Sequence, residues 1–334
     1  MRRQSRRRTL GVTLVLAFAA ALVLGVRFGS VALSTGDVFS VLLGGGDDVQ
    51  RDIVLGLRLP RVLLAALVGG GLALAGVTFQ AVLRNPLAEP YILGISGGAS
   101  VGAVIVLALG WAAAGSWLMP LAAFAGAVSA IALVFRVATA TGRAMDVRVL
   151  LLAGVVVAAF FSACITFILS VSSARTVQSA VLWMMGSLAA ADWPNVVTAA
   201  FYTLPAGGLL MSIARPLNLM AIGDETAHYL GTDVEGVKRV ALALAALVTA
   251  AGVAVAGVIG FVGLVVPHAV RLLIGSDHRT LLPFAFLAGA TFLTLADLAA
   301  RVTLAPTEIP VGVVTAFVGV PLFLVLLRRS FAAR

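Results

Sequence analysis

The residues able to do chemistry in this chain are few and scattered. Three histidines, His228, His268 and His278, fall in separate segments, and the single cysteine, Cys164, lies inside an apolar run. A structural metal site needs Cys, His or carboxylate ligands at short, paired spacings. No such spacing occurs, so no metal site is expected, and Cys164 reads as a small buried packing residue. The chain has one lysine, Lys238, in "VEGVKRV". A phosphate-binding loop requires a Lys directly after a glycine-rich turn. The cluster "GISGGAS" at 94–100 has neither that Lys nor a GxGxxG spacing. It reads as close helix packing or as backbone lining a cavity. No Ser/His/Asp or paired-carboxylate set suggests hydrolysis. The reading is therefore no enzyme and no cofactor; if ATP drives any process here, another subunit hydrolyses it.

The elements that must position these residues are set by composition. Of 334 residues, 61% are hydrophobic and 11% charged, with mean hydropathy +1.11. Soluble domains are about 45–50% apolar and about 25% charged, so the chain belongs in a membrane. Apolar runs of spanning length fall at 10–30, 61–83, 92–110, 118–137, 148–170, 194–213, 239–258, 260–275, 281–300 and 308–328. The fold class is thus an all-α membrane bundle of about ten helices, a single transmembrane domain over 1–334. The start, "MRRQSRRRTLGVTLVLAFAAALVLG", has the charge pattern of a secretory signal. Its apolar run is long enough to span, so it reads as an uncleaved first helix behind a basic cytoplasmic tail, 1–9. Mid-membrane positions are almost all Ala, Val, Leu and Gly, which argues against ion-coupled transport.

Cation placement sets the orientation. With both termini inside, the outside holds Arg27, Arg51, Arg58, Arg61, Arg175 and Arg301, leaving 17 of the 23 Lys and Arg residues inside. That asymmetry is the positive-inside pattern. The net charge of +9 therefore reads as topology rather than as nucleic-acid binding. Two connections exceed a turn: an outer loop, 31–60, with Asp47, Asp48 and Asp52, and an inner loop, 215–239. The outer stretch "RTVQSAVLWMMGSLAAADWP" reads as a short helix against the bundle.

Two surfaces then carry a function. In "LRLPRVLL" (57–64), Arg58 and Arg61 sit three apart on one helical face, at a helix N-terminus whose dipole they oppose. Helix stability does not explain them. Lipid snorkelling or an outward cationic patch for an acidic partner does. Asp297 and Arg301, four apart, can pair, and Arg301 can also join the outer patch. Thr307 reads as an N-cap with Glu308 in the first turn of the last helix, and Glu89 reads as lying near the N-terminal, positive end of the third helix. On the inside, "DETAHYLG" and "DVEGVKR" read as two short amphipathic helices joined at Gly231-Thr232, suited to docking on a soluble subunit.

These stretches resemble the FecCD-type permeases of ABC importers for iron chelates and cobalamin. The resemblance runs from "LRLPRVLLAALVGGGLALAG" through "QAVLRNPLAEPYILGISGGASVGA", "LLLAGV" and "GDETA…LGTDV" to "GFVGLVVPHAVRLLIGSDHRTLLP" and "EIPVGVVTAFVGVPLFLVLLRR". It covers about residue 55 to the C-terminus. It implies a type II importer bundle in the cytoplasmic (inner) membrane of a prokaryote, paired with a second permease chain, a copy or a close paralogue. It also implies an ATPase dimer inside and a substrate-binding protein outside. By the same resemblance Arg58, Arg61 and Arg301 dock the binding protein. Gly223, Asp224, Glu225, Ala227, Leu230 and Gly231 belong to the ATPase-coupling segment. The fifth and tenth helices line the pathway, and Asp146, Val147 and Arg148 lie at its inner gate. The implied cargo is a bulky chelate carried whole, an iron–siderophore complex first, then haem or cobalamin. The rival class is a secondary transporter or exporter, working without an ATPase.

Overall fold

The structure is a computed structural model; it describes residues 2–29, 31, 33–112, 117–140 and 145–332. Arg143 and Arg334, counted above among the inner cations, lie outside the described residues. The helices run α1 Arg2–Arg27, α2 Thr35–Leu42, α3 Asp48–Arg51, α4 Leu59–Val82, α5 Ile95–Ala108, α6 Leu118–Thr139, α7 Val147–Ser170 and α8 Ala174–Met184, then α9 Trp193–Ser212, α10 Ala214–Met220, α11 Asp224–Tyr229, α12 Val234–Ala256, α13 Val262–Ile274, α14 His278–Val302 and α15 Val311–Ala332. No strand occurs among the described residues. Among the described residues six helices are long and apolar enough to cross a membrane, and α9 with α10, bent by 55°, makes a seventh. The shorter apolar helices α5, α13 and α15 complete the ten expected positions.

The sequence explains which helix is central. The α3–α4 rod, Asp48–Val82, is apolar all round, and 89% of its apolar window is buried, against 17% for α1 and 22% for each of α6 and α7. A helix hydrophobic on every face belongs inside. Helices α13 and α14 pack on α4 at glycines that let backbones touch: a Cβ on Gly69 would lie 2.3 Å from Gly289 O, and one on Gly76 only 1.9 Å from Gly263 O. Small residues at such crossings replace the hydrophobic drive that lipid removes.

Several expectations need correction. The basic tail is not a separate segment, because α1 is helical from Arg2. The outer stretch 31–60 is largely helical. Ser34 and Asp47 form capping boxes for α2 and α3, and the chain continues through a π-helical segment, Asp52–Arg58, into α4. Pro60 has no N–H and its ring crowds the preceding turn; the wider π turn just before it accommodates this without breaking the rod. In the inner loop "DVEGVKR" is not a separate short helix. Asp233 caps it, nothing after it stops helix propagation, and it forms the first turns of α12. The two short helices are instead α10 and α11.

Three more concern single residues. Glu89 lies near a helix N-terminus, but that of α13 rather than α5: its Oε1 accepts the Phe261 N–H at 2.7 Å. Thr307 is not a cap, since α15 starts at Val311 and Glu308 has another partner, described below. Cys164 is only half-buried on α7.

The break between α12 and α13 is where the fold is least regular. Gly257 takes φ +68°, and the backbone to Phe261 is not helical. Buried backbone groups away from water need partners. The Tyr91 hydroxyl donates to Ile259 O and accepts from Ile259 N–H, and Ser187 N–H reaches Ala256 O. The "EPY" of the α4–α5 joint thus serves a different pair of helices from those it connects.

Candidate docking and coupling sites

The outer site gathers at the ends of α1, α4 and α14. The π-helical segment presents Arg58 toward the C-terminus of α1, whose last carbonyls lack intrahelical partners. Arg58 Nη1 donates to Val26 O at 3.1 Å and to Arg27 O at 2.9 Å, and Nη2 donates to Val31 O. From α14, Arg301 donates to Gly25 O and Phe28 O at 3.1 and 3.2 Å. Two arginines therefore clasp one helix end, where cations also complement the dipole. Both are buried, 5% and 4% exposed.

Arg61 sits one turn along α4 and is the most engaged. Its Nε and Nη2 grip Asp297 at 2.9–3.1 Å. Its other edge meets Glu308, Nη1 to Oε1 at 3.0 Å and Nη2 to Oε2 at 2.9 Å. Asp297, 1% exposed, also pairs with Arg301 at 3.0 Å, as the i,i+4 spacing predicts. A guanidinium has five N–H donors, so Arg61 has one left. Arg58, Arg61, Arg301 and Glu308 line a cavity of ≈ 230 Å³, with Gly29, Ala189 and Ala191 on its wall. Counting the buried Asp297, this cluster has three cations and two carboxylates, a surplus of one positive charge.

The inner site is built on α10 and α11. Gly223, with φ +149°, starts α11, and Gly231, with φ +82°, ends it, both conformations that suit glycine. Ala227 is fully buried and packs with Met220 and Val234. Asp224 turns inward: Oδ2 accepts from Lys238 Nζ at 2.9 Å, and Oδ1 from Arg84 Nη2. Glu225 is exposed. Leu230 is 60% exposed, and beside it stand Ile222 at 70% and Tyr229 at 87%. Large apolar side chains are thus held out from a charged, tied-down turn, an arrangement that monomeric surfaces seldom show. Asn218 of α10 donates to Asp277 Oδ1 and accepts the His278 N–H, fastening α10 to the start of α14.

Full-length comparison decides the family. The FecCD transport family matches residues 15–329. The hemin transport system permease protein HmuU of Yersinia pestis is 41% identical over 331 residues, covering 96% of this chain and 95% of its own. The vitamin B12 import system permease protein BtuC of Escherichia coli O157:H7 is 38% identical over 333 residues, 98% of either chain. An inward-facing structure described as a metal-chelate type ABC transporter superposes with TM-score 0.85 at 32% identity, covering 96% of this chain and 99% of that one. The chain belongs to the FecCD transport family. It is a multi-pass permease subunit of an ABC importer, and such subunits are not enzymes on their own.

In this FecCD permease the two ends of the bundle stay distinct. One end joins Arg84 to Asp224, Arg7 to Ile274 O and Asn218 to Asp277. The other joins Arg58 to α1, Arg61 to Glu308, and Trp193 Nε1 to Leu55 O. The first is the end where the cations concentrate. At the foot of α7, Asp146 caps the helix by accepting the Arg148 N–H at 2.7 Å; Val147 is half-buried and Arg148 is exposed. An apolar cavity of ≈ 560 Å³ lies among Met184, Met185, Val258, Phe317 and Val320, between the end of α8 and α15.

Sequence reading missed Glu308 as a partner of Arg61, because 247 residues separate them. Ile222 and Tyr229 carried a usable signal, as bulky apolar residues within a polar loop.

Proposed function

We propose that this chain carries a whole metal chelate, a ferric siderophore before haem or cobalamin, through the cytoplasmic membrane of a prokaryote. A binding protein docks its acidic residues at the outer cavity of Arg58, Arg61 and Arg301. An ATPase dimer docks on the inner surface of Gly223–Gly231, and a second permease copy completes the pathway. The observation that carries this reading is the pair of prepared ends: an outer cavity short of one negative charge, and an inner apolar ridge fixed by ion pairs. A secondary transporter has no use for the inner ridge.

Because Arg58 and Arg301 are already committed to α1, docking falls mainly to Arg61, the most exposed of the three at 11%, while the others hold the cavity in shape. The apolar lining of the cavity between α8 and α15, with no His, Cys or carboxylate, supports transfer of an intact complex over a bare ion. Transport is alternating access: ATP binding closes the ATPase dimer, α10 and α11 move with it, and the foot of α7 (Asp146, Val147, Arg148) opens or shuts.

The test is uptake into proteoliposomes holding this chain together with its ATPase and binding protein. Labelled ferric siderophore, haemin and cyanocobalamin would be compared. ATP-dependent uptake of the ferric siderophore is expected. Uptake that proceeds without the ATPase would refute the importer reading, and preference for either macrocycle would refute the cargo.

A further inference from the structure

The only lysine in the chain is buried, and its surroundings form a closed set. Lys238, on the second turn of α12, is 5% exposed, an unusual place for a lysine unless it is paired. Its Nζ donates to Asp224 of α11 at 2.9 Å and lies 3.8 Å from Glu235 Oε1. The other oxygen of Glu235 accepts the backbone N–H of Met145 at 3.0 Å. Met145 is itself buried and directly precedes Asp146, the cap of α7. The second oxygen of Asp224 holds Arg84, at the end of α4. Two cations and two carboxylates thus neutralise each other while joining four elements: α11, α12, the foot of α7 and the end of α4.

Each of these links could have been made more simply. The α11 turn has its own glycine termini, and Asp233 already caps α12 by accepting the Gly236 N–H. Neither Lys238 nor Glu235 is needed to start that helix. What they add is a connection of short reach between the docking turn and the pathway helix, which sequence separates by 79 residues from Met145 to Asp224. Lys238 is the buried half of this pair and Asp224 is 38% exposed; a charge-assisted hydrogen bond is short and geometrically defined, so a shift of α11 must carry Lys238, and with it the turn of α12 that bears Glu235, or break the bond.

We propose that Lys238 is the positioning residue that passes movement of the α11 docking turn, through Glu235 and the Met145 amide, to the foot of α7. The proposal rests on the reading of α10–α11 as the ATPase-docking surface, but its test does not. Hydrogen exchange is followed by mass spectrometry on the chain alone in lipid nanodiscs. Asp224→Asn, on α11, should speed exchange at residues 145–150 by about tenfold, the worth of one lost charge-assisted bond. Glu235→Gln and Lys238→Met should do the same, and adding Asp224→Asn to Lys238→Met should change little further. Lys238 being the only side-chain amine, its acetylation by an N-hydroxysuccinimide ester should also rise in Asp224→Asn. If Asp224→Asn loosens α11 alone and leaves 145–150 as protected as in the wild type, the proposal is wrong, whatever binds the inner surface. Separately, failure of the ATPase to bind the wild-type chain would remove the docking reading and leave this connection standing.

Discussion

Replacing Asp297 by alanine tests the outer site most directly. The carboxylate is 1% exposed and serves two arginines, at 4% and 11% side-chain exposure. Truncating one partner of a buried pair leaves uncompensated charge and costs about 3–5 kcal/mol. Arg61 would keep Glu308, itself one-third exposed, so that half of the loss is softened. Arg301 would keep only the carbonyls of Gly25 and Phe28. The expected loss is therefore toward the lower limit, about 3 kcal/mol. It would be read from unfolding of the purified chain in mixed detergent micelles titrated with sodium dodecyl sulfate. Arg301→Met in the Asp297→Ala background removes the stranded charge and should recover part of the loss. Recovery is incomplete because the α1 carbonyls then lose their donors. A single variant within about 0.5 kcal/mol of wild type, the range of ordinary surface changes, would refute the network as described.

Two further outcomes follow from packing and charge. Gly76→Ala puts a Cβ 1.9 Å from Gly263 O, a backbone atom that cannot rotate away. It should cost at least about 1–3 kcal/mol by overpacking, whereas Gly56→Ala, with nothing within 4 Å, should be tolerated in the same titration. At the inner end, the Asn218 amide holds the Asp277 carboxyl below its ordinary range, helped by the Arg279 N–H and by Arg7. A folded value below the unfolded one gives stability that is complete above about pH 4 and is lost as pH falls through the lowered value. Asn218→Ala should therefore flatten the acid limb of the stability–pH profile; an unaltered limb would show that Asn218 does not set it.

Most of the architecture was legible because a membrane chain writes its helices as apolar runs. Each of the ten expected positions carries a helix, and the stretch of Arg175–Met184 is the short helix α8. What could not be read was anything set by pairing between distant segments. Arg58 and Arg61 stood out by opposing a helix dipole, but not that Arg58 closes the end of α1. Glu308 looked like a first-turn acid because its local sequence is that of a cap; its position is decided instead by Arg61, far away in the chain. The inner surface was legible in outline from Gly223 to Gly231. Its boundary with α12 was misplaced because a cap at Asp233 starts a long helix as readily as a short one. Glu89 was given to the nearest helix, although the N–H it accepts belongs to another.

The clasp on α1 also orders the life of the chain before it is finished. Helix α1 buries little of itself, 17% of its apolar window, and its end is closed by Arg58 from 31 and 32 residues away and by Arg301 from as far as 276. At synthesis rates of about 5–20 residues per second, the second fastening arrives roughly 15–55 s after the first helix has been made. Through that interval α1 stays in the bilayer on its own hydrophobicity, its end held by Arg58, by the Arg27–Thr35 hydrogen bond and by the apolar cluster of Val26 with Leu33, Val38, Val54 and Val62, until α14 is inserted. The segment made first is thus among the last to be fully secured, and a chain arrested before α14 would keep an α1 end held by Arg58 but lacking the Arg301 donors at Gly25 O and Phe28 O.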